Sequence, residues 1–151
     1  MAKQLYPRVL ISPPLPVRRM GPSDIVELGP WLSARLQEKH KTASVQACMQ
    51  WLQSALQSNE NWMVRSGNAV AMARLVRREL EPRPSVQEVF VLAQEGGLDA
   101  AADLYATMAR WALQMEAASL EIESQTDVVR AEIAKRLGPS RPIETRVVRF
   151  P

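Results

Sequence analysis

The 151-residue chain has one cysteine, Cys48, one histidine, His40, and six glycines. A lone cysteine closes no intrachain disulfide, so nothing in the sequence demands an oxidising compartment. Cys48 and His40 alone cannot build a zinc site of the usual kinds. No apolar run is long enough to cross a bilayer. Near the N-terminus, Pro7, Pro13, Pro14 and Pro16 interrupt any signal-peptide core. A soluble, cytoplasmic, unsecreted protein is expected. No internal repeat is visible. The net charge of +3 and pI near 9.4 are too mildly basic to imply nucleic acid. Aromatics do not interleave with the basic residues as base stacking requires, so neither RNA nor a membrane is an expected partner.

What is present suits one domain: 46% hydrophobic residues in a chain long enough for one sizeable core. Residues 1–16 read as a proline-rich extended arm, since proline fixes φ and removes a donor. The arm is either a free tail or a docking segment, and Tyr6, Leu10, Ile11 and Leu15 are its candidate anchors. Residues 17–151 form the domain.

Within it, Val17 to Met20 reads as a short strand. Ser23 and Asp24 read as a helix N-cap, because their side chains can accept from the free N–H groups of a first turn. The helix that follows breaks at Gly29-Pro30 and restarts through Trp31 to Lys41. A second helix spans about Ser44 to Gln57, with Val45, Cys48, Met49, Leu52 and Leu56 on one face. Asn61 to Arg65 and Ala69 to Leu80 flank Ser66-Gly67-Asn68, a hairpin signal. Val86 to Ala93 then makes a third strand of an antiparallel meander.

The stretch from Val86 to Ser124 organises the rest. It reads strand, short glycine loop (Gln94 to Asp99), long helix, strand, which is the βαβ pattern that can hold a phosphate at the helix N-terminus. In the long helix Ala101, Leu104, Tyr105, Met108, Ala112 and Met115 form an apolar stripe. A further helix from Asp127 to Leu137 ends at Gly138-Pro139, and Ile143 to Phe150 is the last strand. The order β-α-α-β-β-β-α-β-α-β gives a mixed α/β (α+β) fold: one mixed sheet with helices on both faces.

This order resembles the GNAT acyltransferase fold over nearly all of residues 17–150. Trp62 to Leu75 is similar to the family's hairpin. Leu104 to Ala112 is similar to the helix after its cofactor loop, and Ala134 to Gly138 to the end of its last helix. The resemblance implies an acetyl-CoA cleft between Val86–Ala93 and Ser119–Ser124, with Val91, Ala93, Gly96, Gly97, Leu98 and Ala100 as cofactor-binding positions. It also implies Glu88 as the base.

The loop, however, departs from the family's pattern. Its glycine-bearing positions fall on Gly97, Asp99 and Ala101, and its basic position on Gly96 or Glu95. No Lys or Arg lies between Glu88 and Arg110. Glu95 and Asp99 would point two carboxylates at a pyrophosphate, which costs several kcal/mol at a protein surface. Asp99 can instead cap the helix. The expected state is therefore a degenerate, self-capped loop with no cofactor.

Other candidates read structurally. Glu88 without a cofactor is a solvated strand glutamate. The tyrosine that the resemblance implies after the last helix is missing, and Ser140 stands near its place. His40 suits a helix C-terminus, Cys48 suits core packing, and Trp31, Trp51, Trp62 and Trp111 suit core or interface. Arg74, Arg77 and Arg78, with Arg65 and Arg83, gather on the hairpin as a solvated face or a docking surface.

Three functions stay open. The leading expectation is a non-catalytic GNAT-like interaction protein, resembling small virion proteins of tailed bacteriophages, that docks on neighbouring subunits or on itself in the host cytoplasm. The second is an acetyl-CoA-dependent N-acetyltransferase with Glu88 as base. The third is a small regulator binding one protein partner.

Overall fold

The computed structural model describes residues 17–94, 98–122, 142–143 and 147–149. The proposed arm, the loop residues Glu95 to Gly97 and the expected helix from Asp127 to Leu137 lie outside them, as does Ser140.

Seven strands form one sheet in the order β1-β2-β3-β4-β5-β7-β6. They are β1 (Arg18–Arg19), β2 (Asn61–Ser66), β3 (Ala69–Val76), β4 (Ser85–Ala93), β5 (Ser119–Glu121), β6 (Pro142–Ile143) and β7 (Val147–Arg149). Strands β2, β3 and β4 pair antiparallel as the expected meander, and β1 joins its edge antiparallel to β2. The β2–β3 turn runs through Gly67 at φ 59°, a left-handed value that glycine takes without a Cβ clash. The single strand expected over Ile143 to Phe150 is instead a β6–β7 hairpin, with Ile143 paired to Val147. Polar Glu144, Thr145 and Arg146 interrupt the apolar alternation there.

Among the described residues, three helices cover the sheet: α1 (Pro22–Lys39), α2 (Val45–Ala55) and α3 (Leu98–Gln114). Helix α3 packs Leu104, Tyr105, Met108 and Ala112 on one face, against Val64, Ala71, Ala73 and Val86. There Trp111 stacks on Trp62 with ring centroids 6.0 Å apart. On the other face Ile25, Leu28, Leu32 and Leu52 of α1 and α2 meet Val70, Met72 and Phe90. Each such buried aliphatic side chain contributes roughly 1.5–3 kcal/mol relative to exposure.

Helix α1 differs from its sequence reading in two ways. It runs unbroken through Pro30. Proline removes the hydrogen bond to the Val26 carbonyl, but both residues are exposed, so water can take that carbonyl. Its N-cap is Gly21, neither Ser23 nor Asp24; Asp24 reaches back from the third helical position to accept from the Gly21 N–H at 2.8 Å. In α2, Val45 is half exposed rather than inward, while Cys48 is buried in packing as expected. No described helix is long and apolar enough to cross a membrane.

Candidate functional site

Strand β4 pairs in parallel with β5 only at its start: Ser85 with Ser119, Val86 with Leu120, Gln87 with Glu121. From Glu88 to Ala93, β4 has no β5 partner among the described residues. The implied cleft thus begins where the ladder ends, and Val91 and Ala93 lie on that unpaired length, both half-buried. Just there β4 also bulges. Met72 pairs with Phe90 and Ala73 with Glu88, so Val89 is the extra residue. A bulge sharpens local twist and turns a strand from its neighbour.

The closed end of the opening is fastened by side chains. Ser119 donates to Ser85 across the two strands at 2.8 Å, and both serines are buried. Arg78 donates to Ser85 at 3.1 Å and to both oxygens of the Glu121 carboxylate at 2.9 and 3.1 Å. The Ala118 N–H donates to the Pro84 carbonyl at 2.8 Å.

Glu88 is buried, 5% exposed, and so is not the solvated strand glutamate of the sequence reading. Strand β4 lies in the middle of the sheet with helices over both faces, so a side chain at this position has no route to solvent on either. Its register partner Ala73 belongs to the core under α3, so Glu88 sits on that face of β4. Leu98 and Ala100 are in the first turn of α3, whose backbone N–H groups are the ones left over by any helix start. Gly96 and Gly97 lie outside the described residues.

On the opposite face, beside the bulge, a groove of about 690 Å³ opens between the C-terminal end of α1, helix α2 and β4. Val89, Phe90 and Leu92 form its sheet wall, and Trp51, 41% exposed, stands on the helix side. Arg35, Lys39, His40 and Arg74 also line it, and no acid does among the described residues. Sequence reading placed His40 and Trp51 as a helix terminus and an anchor. Their convergence needs α1 and α2 folded over β4, which no local spacing announces.

The arginines expected as a docking surface do not form one stripe. Strand β3 ends at Val76, so Arg77 and Arg78 fall beyond it rather than in alternation with Arg74. Arg74 donates to Gln87, Arg77 to Glu60, and Arg78 belongs to the fastening described above. Arg83 donates to the Glu116 and Ala117 carbonyls. Arg65 joins Arg18 in holding the buried Asp24 carboxylate, at 2.9 Å and at 2.6–2.8 Å respectively, and also pairs with Glu27. Hydrogen bonds from Arg18 hold Asp24 far below the usual carboxylate range, although burial opposes them. Arg65 likewise lowers Glu27. No cluster of three or more His, Cys, Asp or Glu residues among those described could hold a metal.

The fold is that of the GNAT acetyltransferases. Glucosamine-6-phosphate N-acetyltransferase from Arabidopsis thaliana matches with a TM-score of 0.64 at 9% identity, covering 85% of this chain and 94% of that one. Aminoglycoside antibiotic 6'-N-acetyltransferase from Acinetobacter haemolyticus matches with a TM-score of 0.55 at 17% identity, over 89% and 94%. A protein from Clostridium acetobutylicum, named as an acetyltransferase and solved with acetyl-CoA, matches with a TM-score of 0.59 at 12% identity, over 84% and 90%. At these identities the likeness is one of fold. No protein-family model matches the chain, and no curated protein does.

Proposed function

We propose that the protein is an acyl-CoA-dependent N-acyltransferase, the second of the three sequence readings. One observation carries it: the fold matches that of solved acetyltransferases over 84–89% of this chain, and within it β4 bulges beside a groove. Unpaired backbone groups along β4 are what a pantetheine arm, itself a chain of amides, would use. The edge of β4, with Val91 and Ala93, and the start of α3, with Leu98 and Ala100, would hold the cofactor. Gly96 and Gly97 would join them through their place in the chain. Acetyl-CoA bound there would supply the acyl group as a thioester: the amine forms the C–N bond and loses a proton, the C–S bond breaks, and CoA leaves as the thiol.

Glu88 is the base this reading assigns. It belongs to the α3 face while the groove opens on the other. Glu88→Gln should lower kcat at least 100-fold, the usual contribution of a positioned base. An unchanged kcat would remove Glu88 from the mechanism.

A second reading keeps one specific observation on its side. Glu95 and Asp99 stand in the loop where the resemblance implies a basic and a glycine position, and no cation lies between Glu88 and Arg110. On that basis the chain would be a non-catalytic interaction protein, a virion subunit or a regulator, without cofactor. Thermal stability with millimolar acetyl-CoA separates the two. Ligand at 100 times its dissociation constant adds about 2.7 kcal/mol, and no shift would favour the non-catalytic reading. The acceptor is not of the aminoglycoside type named for some of the similar structures: those are polycationic amines, and this groove presents cations without an acid.

A further inference from the structure

We propose that the groove selects an apolar primary amine that also carries one anionic group, a carboxylate or a phosphate. This names the acceptor class and rests on the transferase reading above. Three observations bear on it. The groove, at about 690 Å³, lies within the ~300–1,000 Å³ range of small-molecule sites. Its body is apolar, with Phe90 on the sheet side and Trp51 opposite, so it holds a hydrocarbon or aromatic part. Its charge is of one sign among the described lining residues.

The cations are not equivalent. Arg35 is paired with Glu38 at 3.6 Å on its own helix. Lys39 and His40 close the C-terminal end of α1, where the helix dipole takes up part of a positive charge. Arg74 is different. It comes from the sheet, and the partner its Nε donates to is the neutral Gln87 amide oxygen, at 3.0 Å. That bond orients the guanidinium without neutralising it, and a planar guanidinium matches carboxylate and phosphate oxygens. An anion on Arg74 would place the attached apolar body along Phe90. From there the amine has the bulge and the open end of the ladder next to it.

The chain's own first 16 residues are the competing occupant, and charge argues against them. They contain Lys3 and Arg8 and no acid, so they would bring cations to a cationic groove.

The test is calorimetric titration without cofactor, using three matched amines: phenylalanine, its phosphonate counterpart 1-amino-2-phenylethylphosphonate, and phenethylamine, which lacks the anion. Both anionic amines should bind at least tenfold tighter than phenethylamine, as a hydrogen bond to a charged group implies. Their order tells carboxylate from phosphate. Arg74→Gln should erase the preference, and Trp51→Ala should weaken all three alike. Equal binding of phenethylamine, a preference that survives Arg74→Gln, or binding of none of the three would overturn the proposal. If Arg74→Gln does not fold, the wild-type preference alone decides. Stabilisation by acetyl-CoA without anion preference sinks this proposal and leaves the transferase reading. Anion preference without acetyl-CoA stabilisation keeps the ligand class and sinks that reading.

Discussion

Replacing Asp24 is the sharpest perturbation of the scaffold that carries the groove. Its carboxylate is 2% exposed and accepts from Arg18, Arg65 and the Gly21 N–H. It thereby ties the start of α1 to β1 and β2, while the other end of α1 lines the groove. Removing one partner of a buried ion pair costs about 3–5 kcal/mol, because the other charge stays behind unpaired. The Arg18 side chain is 59% exposed and can turn to water, so its share is small. The Arg65 side chain is 11% exposed and cannot escape so easily. Asp24→Ala should therefore cost about 3 kcal/mol, at the lower end of that range. In a domain of this size that lowers Tm by roughly 6–12 °C. Asp24→Asn keeps an acceptor for the Gly21 N–H and should lose about half as much, since charge-assisted bonds are roughly twice as strong as neutral ones.

The pH dependence separates charge from packing. Asp24 is depressed in the folded state relative to about 3.9 in the unfolded chain. A depressed acid contributes stability that is present above its unfolded value and lost as pH falls towards its folded value. The wild type and Asp24→Asn should thus differ by a constant amount from pH 7 to about pH 5, then converge below about pH 4. Differential scanning calorimetry at several pH values measures this. A gap that stays constant down to pH 3 would refute the electrostatic account and leave only packing.

Two further outcomes follow from the fold. Arg78→Ala should cost about 1 kcal/mol, since the bond to Glu121 is partly exposed. Hydrogen exchange should rise selectively in segments 85–87 and 119–121, and a uniform rise would show that Arg78 does not fasten the opening. Gly29→Ala puts a methyl into the Met49 thioether where α1 and α2 meet. The end of Met49 is flexible and can swing aside, and alanine favours the helix by about 1 kcal/mol, so a denaturation curve should show a change within about 1 kcal/mol of zero; a loss above about 3 kcal/mol would show that Met49 is locked in place.

Much of the fold was legible because its signals are local. Gly67 and Asn68 between two apolar runs announced the β2–β3 hairpin, and the stripe from Leu104 to Ala112 announced α3. The strand-loop-helix-strand phrase also placed β4, α3 and β5. Where the reading failed, tertiary context decided. Pro30 stays helical because its missing bond faces solvent, and Gly21 caps because Asp24 is drawn into two arginines. Glu88 is buried because β4 lies in the middle of a sheet that helices cover on both faces. The groove was illegible for a different reason: its walls come from four separate segments, and only the assembled sheet brings Arg74 within reach of Trp51. The lesson for Arg77 and Arg78 is simpler: the strand expected to Leu80 ends at Val76, so neither arginine lies on it.

The short parallel seam has a consequence for how the molecule is made. Every pairing among the first four strands except that of β1 joins neighbours in sequence, whereas Ser85 and Ser119 must meet across 34 positions. Chain-closure entropy delays such distant partners. On the ribosome, the first half can assemble its meander and two helices while the second is still being synthesised. The last step to complete is then the docking of a late-emerging edge onto a finished platform.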